Sequence, residues 1–480
     1  DAGRPVIFIH EKAAKKLDIY AGDRISLSFK NKKIVSIIDT VSGFIKEDEI
    51  SLSQEIISFF NAKSGEIIEV YPILEPGSIE LISKKMNGRE LLKKEIYLIV
   101  REIVSNALTE AELSYFVLGV YERGMTIKET IALTEAMYKT GQSLHWPPNY
   151  KIADKHSIGG IPGNRTTPII VSICASQGVF MPKTSSRAIT SAAGTADTIE
   201  TLSKVDFSAS DLKKIVAKTG ACLAWGGSLG LAPADDKLIR IERMLNLDPE
   251  SQLIASIISK KLAAGSKYLL IDIPYGPGAK VSRFEAEKLK SKFLKVTKHF
   301  HINAKIMLTD GSQPIGNGIG PVLEMLDILR VLKRDSPPKD LEHKSVLLAG
   351  EILELVGKAK KGGGKSLALE ILNSKKALKK FQEIISAQGR KKGQLKLSKY
   401  SHSIKSNKSG EVQSIDNKKI NHLARLLGCP IDKGSGIFLH KHKRDKVTKK
   451  EPLVTLYSQS RGKLNESIKY FYSANPFVVR

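Results

Sequence analysis

Apolar and polar positions change period along this chain, and the changes mark its parts. Over residues 1–84 they alternate in short runs, Val6-Ile7-Phe8-Ile9, Arg24-Ile25-Ser26-Leu27-Ser28-Phe29 and Ile34-Val35-Ser36-Ile37-Ile38, punctuated by Gly22-Asp23 and Gly65. A period of two predicts strands, here a small β-rich domain expected to close as a barrel. It holds no cluster of reactive side chains, so assembly is its expected use. After Gly88 the period lengthens to 3.6. Leu91–Leu108 and Glu110–Arg123 predict amphipathic helices, and Thr126–Thr140 a third, with Thr126 as N-cap and Glu129 in capping-box spacing. From Lys151 strands and helices alternate, the order of a parallel or mixed α/β sheet. Gly178–Pro182, Tyr268–Pro274 and Ile306–Asp310 read as strands, and helices follow to about Ala387. From about residue 400 the pattern returns to strands with one small helix, Lys418–Leu427.

The predicted fold is therefore α/β and multidomain. Residues 1–84 form the β-rich domain, 88–148 and 233–264 a helical lobe, 150–230 and 266–390 an α/β lobe with a mixed sheet, and 395–480 a C-terminal α+β domain. A length of 480 residues supports this division, since one core does not grow that large. No apolar run is long enough to cross a bilayer, and the amino terminus has no signal-peptide pattern, so the expected location is cytoplasmic. The chain begins at Asp1 rather than Met, which leaves room for residues upstream. Cys174, Cys222 and Cys429 are far apart, and two of them lie in apolar runs, which predicts reduced, buried thiols rather than disulfides or a zinc module.

Charge adds one question. Lys and Arg number 76 against 50 Asp and Glu, a net charge of +26, enough to bring nucleic acid into consideration. Much of the excess lies in Lys358–Lys365, Lys375–Lys380, Arg390–Lys399 and Lys441–Lys450, with no aromatic platform interleaved and no nucleic-acid-binding motif alongside. Solvated faces are the better reading, and nucleic acid is not the expected partner.

Candidate chemistry concentrates in Asp154–Thr167, Asp-Lys-His-Ser-Ile-Gly-Gly-Ile-Pro-Gly-Asn-Arg-Thr-Thr. A strand, a glycine loop and a helix start follow one another there. Unpaired amides and the helix dipole both favour an anion at such a junction, and Lys155, His156, Ser157, Arg165, Thr166 and Thr167 all flank it. The helix should bury Ile169, Ile170, Ile173 and Cys174. Lys183–Asp197 is rich in small hydroxyl residues and holds one guanidinium, Arg187. Asp248-Pro249-Glu250 opens a helix that runs to Ala264 and carries Ser256 and Lys260 on one face. The strand at Tyr268 delivers Lys280 beyond its end, where α/β sheets place ligands.

Each of these features alone has a plain structural meaning. Asp248 is an N-cap worth about 1 kcal/mol, Arg187 a salt-bridge partner, and Ser256 with Lys260 a polar stripe. Ala359–Ser366 fits a loose nucleoside-triphosphate loop, but the helical run Val346–Val356 precedes it where a strand is required. His440-Lys441-His442 and His299-Phe300-His301 have no third ligand at fixed spacing, so no metal is expected.

Together, Asp-Lys-His-Ser-x-Gly-Gly at 154–160, Ser185-x-Arg187 with Gly194-Thr195, Leu231-Ala-Pro-Ala-Asp235 and Ala255-Ser256-Ile-Ile-Ser-Lys260-Lys261 resemble the thymidine and pyrimidine-nucleoside phosphorylases. Pro162-Gly163-Asn164, the run Lys183–Asp197, Trp225-Gly-Gly and the extra amino-terminal domain resemble the branch that includes the archaeal AMP phosphorylases. The resemblance runs from about residue 4 to the end. It implies a helical lobe closing on an α/β lobe, a homodimer or higher homo-oligomer, and phosphorolysis of an N-glycosidic bond with inorganic phosphate as co-substrate. No metal or organic cofactor is implied. By position, Lys155, Ser157, Thr167, Ser185 and Thr195 would hold phosphate, with Thr167 in place of the usual serine. His156, Arg240, Ser256 and Lys260 would face the base, with Arg243 a rival to Arg240. Gly160, Ser186, Arg187, Ala188, Ile189, Thr190, Ser191, Thr195, Ser256 and Lys280 resemble the nucleotide-binding set of the AMP-using branch. Asp248 matches its proton donor to the base, and His156 is a second catalytic candidate. The substrate stays open between a nucleoside, as in pyrimidine metabolism, and a nucleoside 5′-monophosphate. The alternative is a basic nucleic-acid-binding protein that retains a phosphorylase scaffold.

Overall fold

Residues 5–73, 76–188 and 191–480 are described by the computed structural model. The chain divides into two compact units, Asp1–Gly141 with Ala232–Ser259, and Gln142–Leu231 with Lys260–Arg480.

In the first unit the alternating runs become a five-stranded sheet, ordered Ile50–Leu52, Val6–His10, Lys32–Val41, Arg24–Phe29, Glu69–Pro72. Val6–His10 runs parallel to Lys32–Val41, and the other ladders are antiparallel. Period two is plain in Arg24–Phe29, whose Ile25, Leu27 and Phe29 are buried. Short helices, Glu11–Lys16 and Gln54–Phe60, seal one face through Ala14, Ile56 and Phe60. Among the described residues the two edge strands do not pair, so the strands form an open sheet where a closed barrel was expected.

The same unit holds the helices Ser78–Met86, Lys93–Val104, Glu110–Arg123, Ile127–Lys139 and Pro233–Leu245. Ile96, Val100, Phe116, Val117, Leu133 and Leu238 make their shared core. The capping box at Thr126 forms as its spacing predicts. Glu129 N donates to Thr126 Oγ1 at 3.2 Å, and Thr126 N donates to Glu129 Oε2 at 2.8 Å. The other oxygen of Glu129 accepts from Lys85 Nζ at 2.8 Å and from Leu91 N at 2.9 Å. One buried carboxylate thus starts a helix and ties down two neighbouring segments.

Parallel ladders organise the second unit. Ala153–Ser157 pairs with Tyr268–Tyr275, which pairs with Asn303–Asp310, while Met181–Ser185 pairs with Ala221–Trp225. A parallel bridge from Ile152 to Phe180 connects the two sets. These ladders are parallel throughout the described residues, where a mixed sheet was expected. Ile169, Ile170, Ile173 and Cys174 on helix Thr166–Ala175 are all fully buried in the main core, as their spacing predicts. The loop Ala359–Gly363 runs between helices Lys339–Leu355 and Gly364–Asn373, which removes the nucleoside-triphosphate loop.

The C-terminal part has two small antiparallel sheets and a helix, Asn417–Leu427. A second helix, Arg461–Ala474, stands where strands were expected. Its aromatic side chains at Tyr470, Phe471 and Tyr472 mimic a strand in a short window. All three cysteines are buried and unpaired, and burial raises each thiol well above its ordinary value. No helix among the described residues is long and apolar enough to cross a membrane.

Candidate active site

Alternation along the strand Ala153–Ser157 sorts its four polar residues onto two faces. Asp154 and His156 share one. There Asp154, about 1% exposed, meets Lys261 Nζ at 2.7 Å and Lys183 Nζ at 3.2 Å. Burial alone would raise its carboxyl, but the two ammonium groups outweigh burial and hold it below the ordinary carboxylate range. Lys261 pays the reciprocal cost: burial lowers it to about 7 against the pull of Asp154. His156 is half-buried beside these charges. Desolvation and then Lys261, Lys183, Lys260 and Lys155 push it well below its usual value. The imidazole is therefore neutral near pH 7, which suits it to hydrogen bonding rather than to proton donation as an imidazolium.

Lys155 and Ser157 occupy the other face. Lys155 is buried and donates to Thr166 Oγ1 at 3.0 Å. Burial lowers it to about 8, with Lys344 and Arg165 adding to the effect and Asp272 opposing it. Ser157 donates to Asp272 Oδ2 at 2.9 Å. The ladder pairs these two residues directly, and Asp272 also accepts from Thr309 Oγ1 at 2.6 Å and faces Lys344 Nζ at 3.1 Å. Burial works against its charge, yet Lys344 and Lys155 hold its carboxyl below the usual range.

The glycine loop takes its path from two close approaches. Gly160 has φ +90°, and a Cβ there would stand 3.0 Å from Lys280 Cγ. Gly163 has φ +68°, and a Cβ there would stand 2.2 Å from Ile315 O. Only glycine combines that backbone with that clearance. Arg165 then locks the loop. It donates to Glu324 Oε2 at 2.6 Å, to Thr195 Oγ1 at 2.9 Å and to Ala193 O at 2.6 Å. The first amides of helix Thr166–Ala175 follow at once, so its positive dipole end lies next to the Lys155–Thr166 bond. Asn164 Oδ1 and Ser185 Oγ are buried with no protein hydrogen-bond partner, the state expected of polar atoms that serve a ligand.

Among the expected residues, this unit thus gives Lys155, Ser157 and Thr195 fixed partners in Thr166, Asp272 and Arg165, and sets Gly160 against Lys280. Thr167 is buried one position into the helix, and Ser185 ends the strand Met181–Ser185. Lys280, with Tyr275, Ser282 and Arg283, lines an open cavity of about 600 Å³. Ser186 is exposed, and Ala188 N donates to Asp197 Oδ2 at 2.8 Å. Ser191 Oγ donates to Ala193 O at 2.6 Å. Ile189 and Thr190 lie outside the described residues. Arg187 is more engaged than its assignment implies: its two terminal nitrogens each bond Glu200 at 2.8 Å, and its guanidinium stands 4.9 Å from the Trp225 ring centre. The same pairing lowers Glu200 to about 2.

The first unit carries the remaining candidates. Arg240 and Arg243 are exposed on Pro233–Leu245, and Arg240 bonds Glu110 Oε1 at 2.6 Å. Asp248 is exposed just before Pro249 and the helix Glu250–Ala263, on which Ser256 is half-buried. Lys260, on the same helix, belongs to the second unit and contributes to the field on His156.

Asp272, Glu324 and the partners of Asp154 were not singled out from the sequence. Asp272 had a readable signal, a lone carboxylate inside Tyr-Leu-Leu-Ile-Asp-Ile-Pro, because a charge in a buried strand must be paired. Glu324 in Pro-Val-Leu-Glu-Met-Leu looks like any helical glutamate, and its partner Arg165 is 159 residues away.

Comparison with known proteins places similar sequences over nearly all of this chain. Residues 79–141 match the glycosyl transferase family, helical bundle domain, residues 149–378 its a/b domain, and residues 411–477 the pyrimidine nucleoside phosphorylase C-terminal domain. The AMP phosphorylase of Methanococcus aeolicus is 41% identical over 98% of this chain and 94% of its own length. That of Pyrococcus furiosus is 42% identical over 100% and 96%. A putative thymidine phosphorylase of Ralstonia nicotianae is 40% identical over 97% and 92%. Among solved structures, anthranilate phosphoribosyltransferase from Thermus thermophilus is similar in fold, with a TM-score of 0.51 at 17% identity over 64% of this chain and 98% of that one.

Proposed function

This chain belongs to the glycosyl transferase family of the AMP and pyrimidine-nucleoside phosphorylases and is a pentosyltransferase, and we propose that it splits a nucleoside 5′-monophosphate, AMP first, with inorganic phosphate. The products are the free base and ribose 1,5-bisphosphate. The bond from the anomeric carbon to the base nitrogen breaks as a phosphate oxygen forms a bond to that carbon. The observation that carries this choice is identity of about 41% along the whole chain to AMP phosphorylases of several organisms. The close approach of Gly160 to Lys280 supports it, because it sets a lysine side chain beside the glycine loop, and a 5′-phosphate calls for a cation.

In this reading Lys155, Ser157, Thr167, Ser185 and Thr195 hold the attacking phosphate. Buried, fixed donors stabilise its charge with little reorganisation. Gly160, Ser186, Arg187, Ala188, Ile189, Thr190, Ser191 and Lys280 bind the nucleotide, and Arg240, Ser256 and Lys260 serve the base. Asp248 gives the departing base its proton, and neutral His156 hydrogen-bonds the base. The displacement transfers no electrons, so the chemistry calls for no redox cofactor, and the cations named above supply the charge a metal would. A homodimer is part of the proposal. Tyr115, Leu118 and Tyr121, spaced three apart and exposed on Glu110–Arg123, give it an apolar stripe. A cytoplasmic location completes it.

Base release from AMP, CMP, thymidine and uridine, assayed side by side with and without phosphate, tests the choice. AMP should turn over fastest and only with phosphate. Turnover confined to thymidine and uridine would move the substrate to nucleosides. No turnover, with tight salt-sensitive RNA binding, would restore the nucleic-acid reading.

A further inference from the structure

We propose that Asn421, in the C-terminal part of the chain, is a positioning residue for nucleotide binding, a role that rests on the reading above. Helix Asn417–Leu427 starts at Asp416, whose carboxylate accepts from the amides of Lys418 and Lys419. Ile420, Leu423, Ala424 and Leu427 bury its apolar face in the C-terminal core. Asn417, Asn421 and Arg425 recur every four residues and make a polar stripe beside that face. The stripe meets three loops of the same unit. Asn417 Nδ2 donates to Gly311 O at 2.8 Å, and Arg425 donates to Ser191 O at 3.3 Å.

Asn421 joins two loops at once. Its Oδ1 accepts from Ala192 N at 3.0 Å, and its Nδ2 donates to Gly160 O at 3.3 Å, with the residue 7% exposed. A reversed amide would set donor against donor and acceptor against acceptor, so one orientation alone serves both bonds. Ala192 precedes Ala193, whose carbonyl Arg165 grips, and Thr195, whose hydroxyl Arg165 also binds. Gly160 is the glycine that Lys280 lies against. Asn421 therefore fixes the separation between the Gly160–Lys280 contact and the segment Ser191–Thr195 while taking no part in the chemistry. It gives the C-terminal part a role in affinity that no reactive group there would suggest.

The test compares wild type, Asn421→Ala and Asn421→Asp by calorimetric titration with AMP, by steady-state phosphorolysis and by thermal melting. Loss of two buried hydrogen bonds should raise Kd and KM for AMP about 10-fold, while kcat holds. Asn421→Asp keeps the Ala192 bond but sets a carboxylate oxygen against the Gly160 carbonyl, so it should not rescue affinity. A merely structural role would lower the melting temperature and the active fraction, hence kcat, and leave AMP affinity of the folded protein unchanged; that result overturns the proposal. Wild-type protein that binds AMP without phosphorolysing it would sink the reaction proposed above, and the AMP affinities would still decide the role of Asn421. Wild-type protein that binds no AMP would sink both.

Discussion

Lys155 in one unit and Arg240 in the other are both cations assigned to substrate, yet they are held in opposite ways. Lys155 is about 1% exposed, hydrogen-bonded to Thr166 and lowered to about 8 by its burial. Arg240 has a side chain 51% exposed and an ion pair with Glu110, itself 36% exposed. A buried cation is costly unless its partners are fixed, and Lys155 has the Thr166 hydroxyl and the charge of Asp272, a carboxylate itself held by Ser157, Thr309 and Lys344. An exposed pair is screened by water and salt and changes partner at little cost. Of the residues proposed to bind substrate, Lys155 is thus held in advance by buried partners, while Arg240 and Asp248 stand exposed to solvent.

The largest expected effect lies in the built part. Asp154→Ala leaves Lys261 and Lys183 buried without their shared carboxylate and should cost about 3–5 kcal/mol of stability, read by chemical denaturation. A loss below about 1 kcal/mol would mean that this network is as loose as a surface pair, and the contrast would collapse. Asp248→Asn comes next. Asparagine caps a helix as well as aspartate does, so stability should hold, while AMP phosphorolysis falls at least about 100-fold. Full activity with normal stability would return Asp248 to capping alone.

A smaller effect comes from pH. Lys155 is charged below about 8 and loses its proton above that value, so kcat/KM for phosphate should fall roughly tenfold per pH unit on the alkaline side. A profile flat to pH 10 would place the binding charge elsewhere. Smallest of all, Glu110→Gln should change stability by about 0–1 kcal/mol. A larger loss would show that Arg240 is as firmly held as Lys155.

Elements with a clean period were legible in the sequence. Glu110–Arg123 and the Thr126 capping box form where the pattern puts them, and the four apolar residues expected to face inward from Thr166–Ala175 do so. Open sheet or closed barrel depends on which edge strands meet, and alternation along one strand carries no such information. Helix Arg461–Ala474 was hidden by its aromatic residues, which favour strand as readily as buried helix. At the site, local signals survived: the glycine loop, its flanking cations and Lys280 are all read from spacing. Pairings between distant segments did not. Arg165 with Glu324 and Asn421 with Gly160 join residues 159 and 261 positions apart. Arg187 shows the converse, since its plain reading as a salt-bridge partner describes the Glu200 pair seen here.

In the proposed reaction inorganic phosphate, held by Lys155 and its neighbours, is the nucleophile on a nucleoside 5′-monophosphate. Incubation with AMP and isotopically labelled inorganic phosphate, followed by product analysis, tests it most directly. Phosphorolysis yields adenine together with a pentose bisphosphate that carries the label in its 1-phosphate group. Adenine released with unlabelled ribose 5-phosphate would mean that water is the nucleophile, and would contradict it.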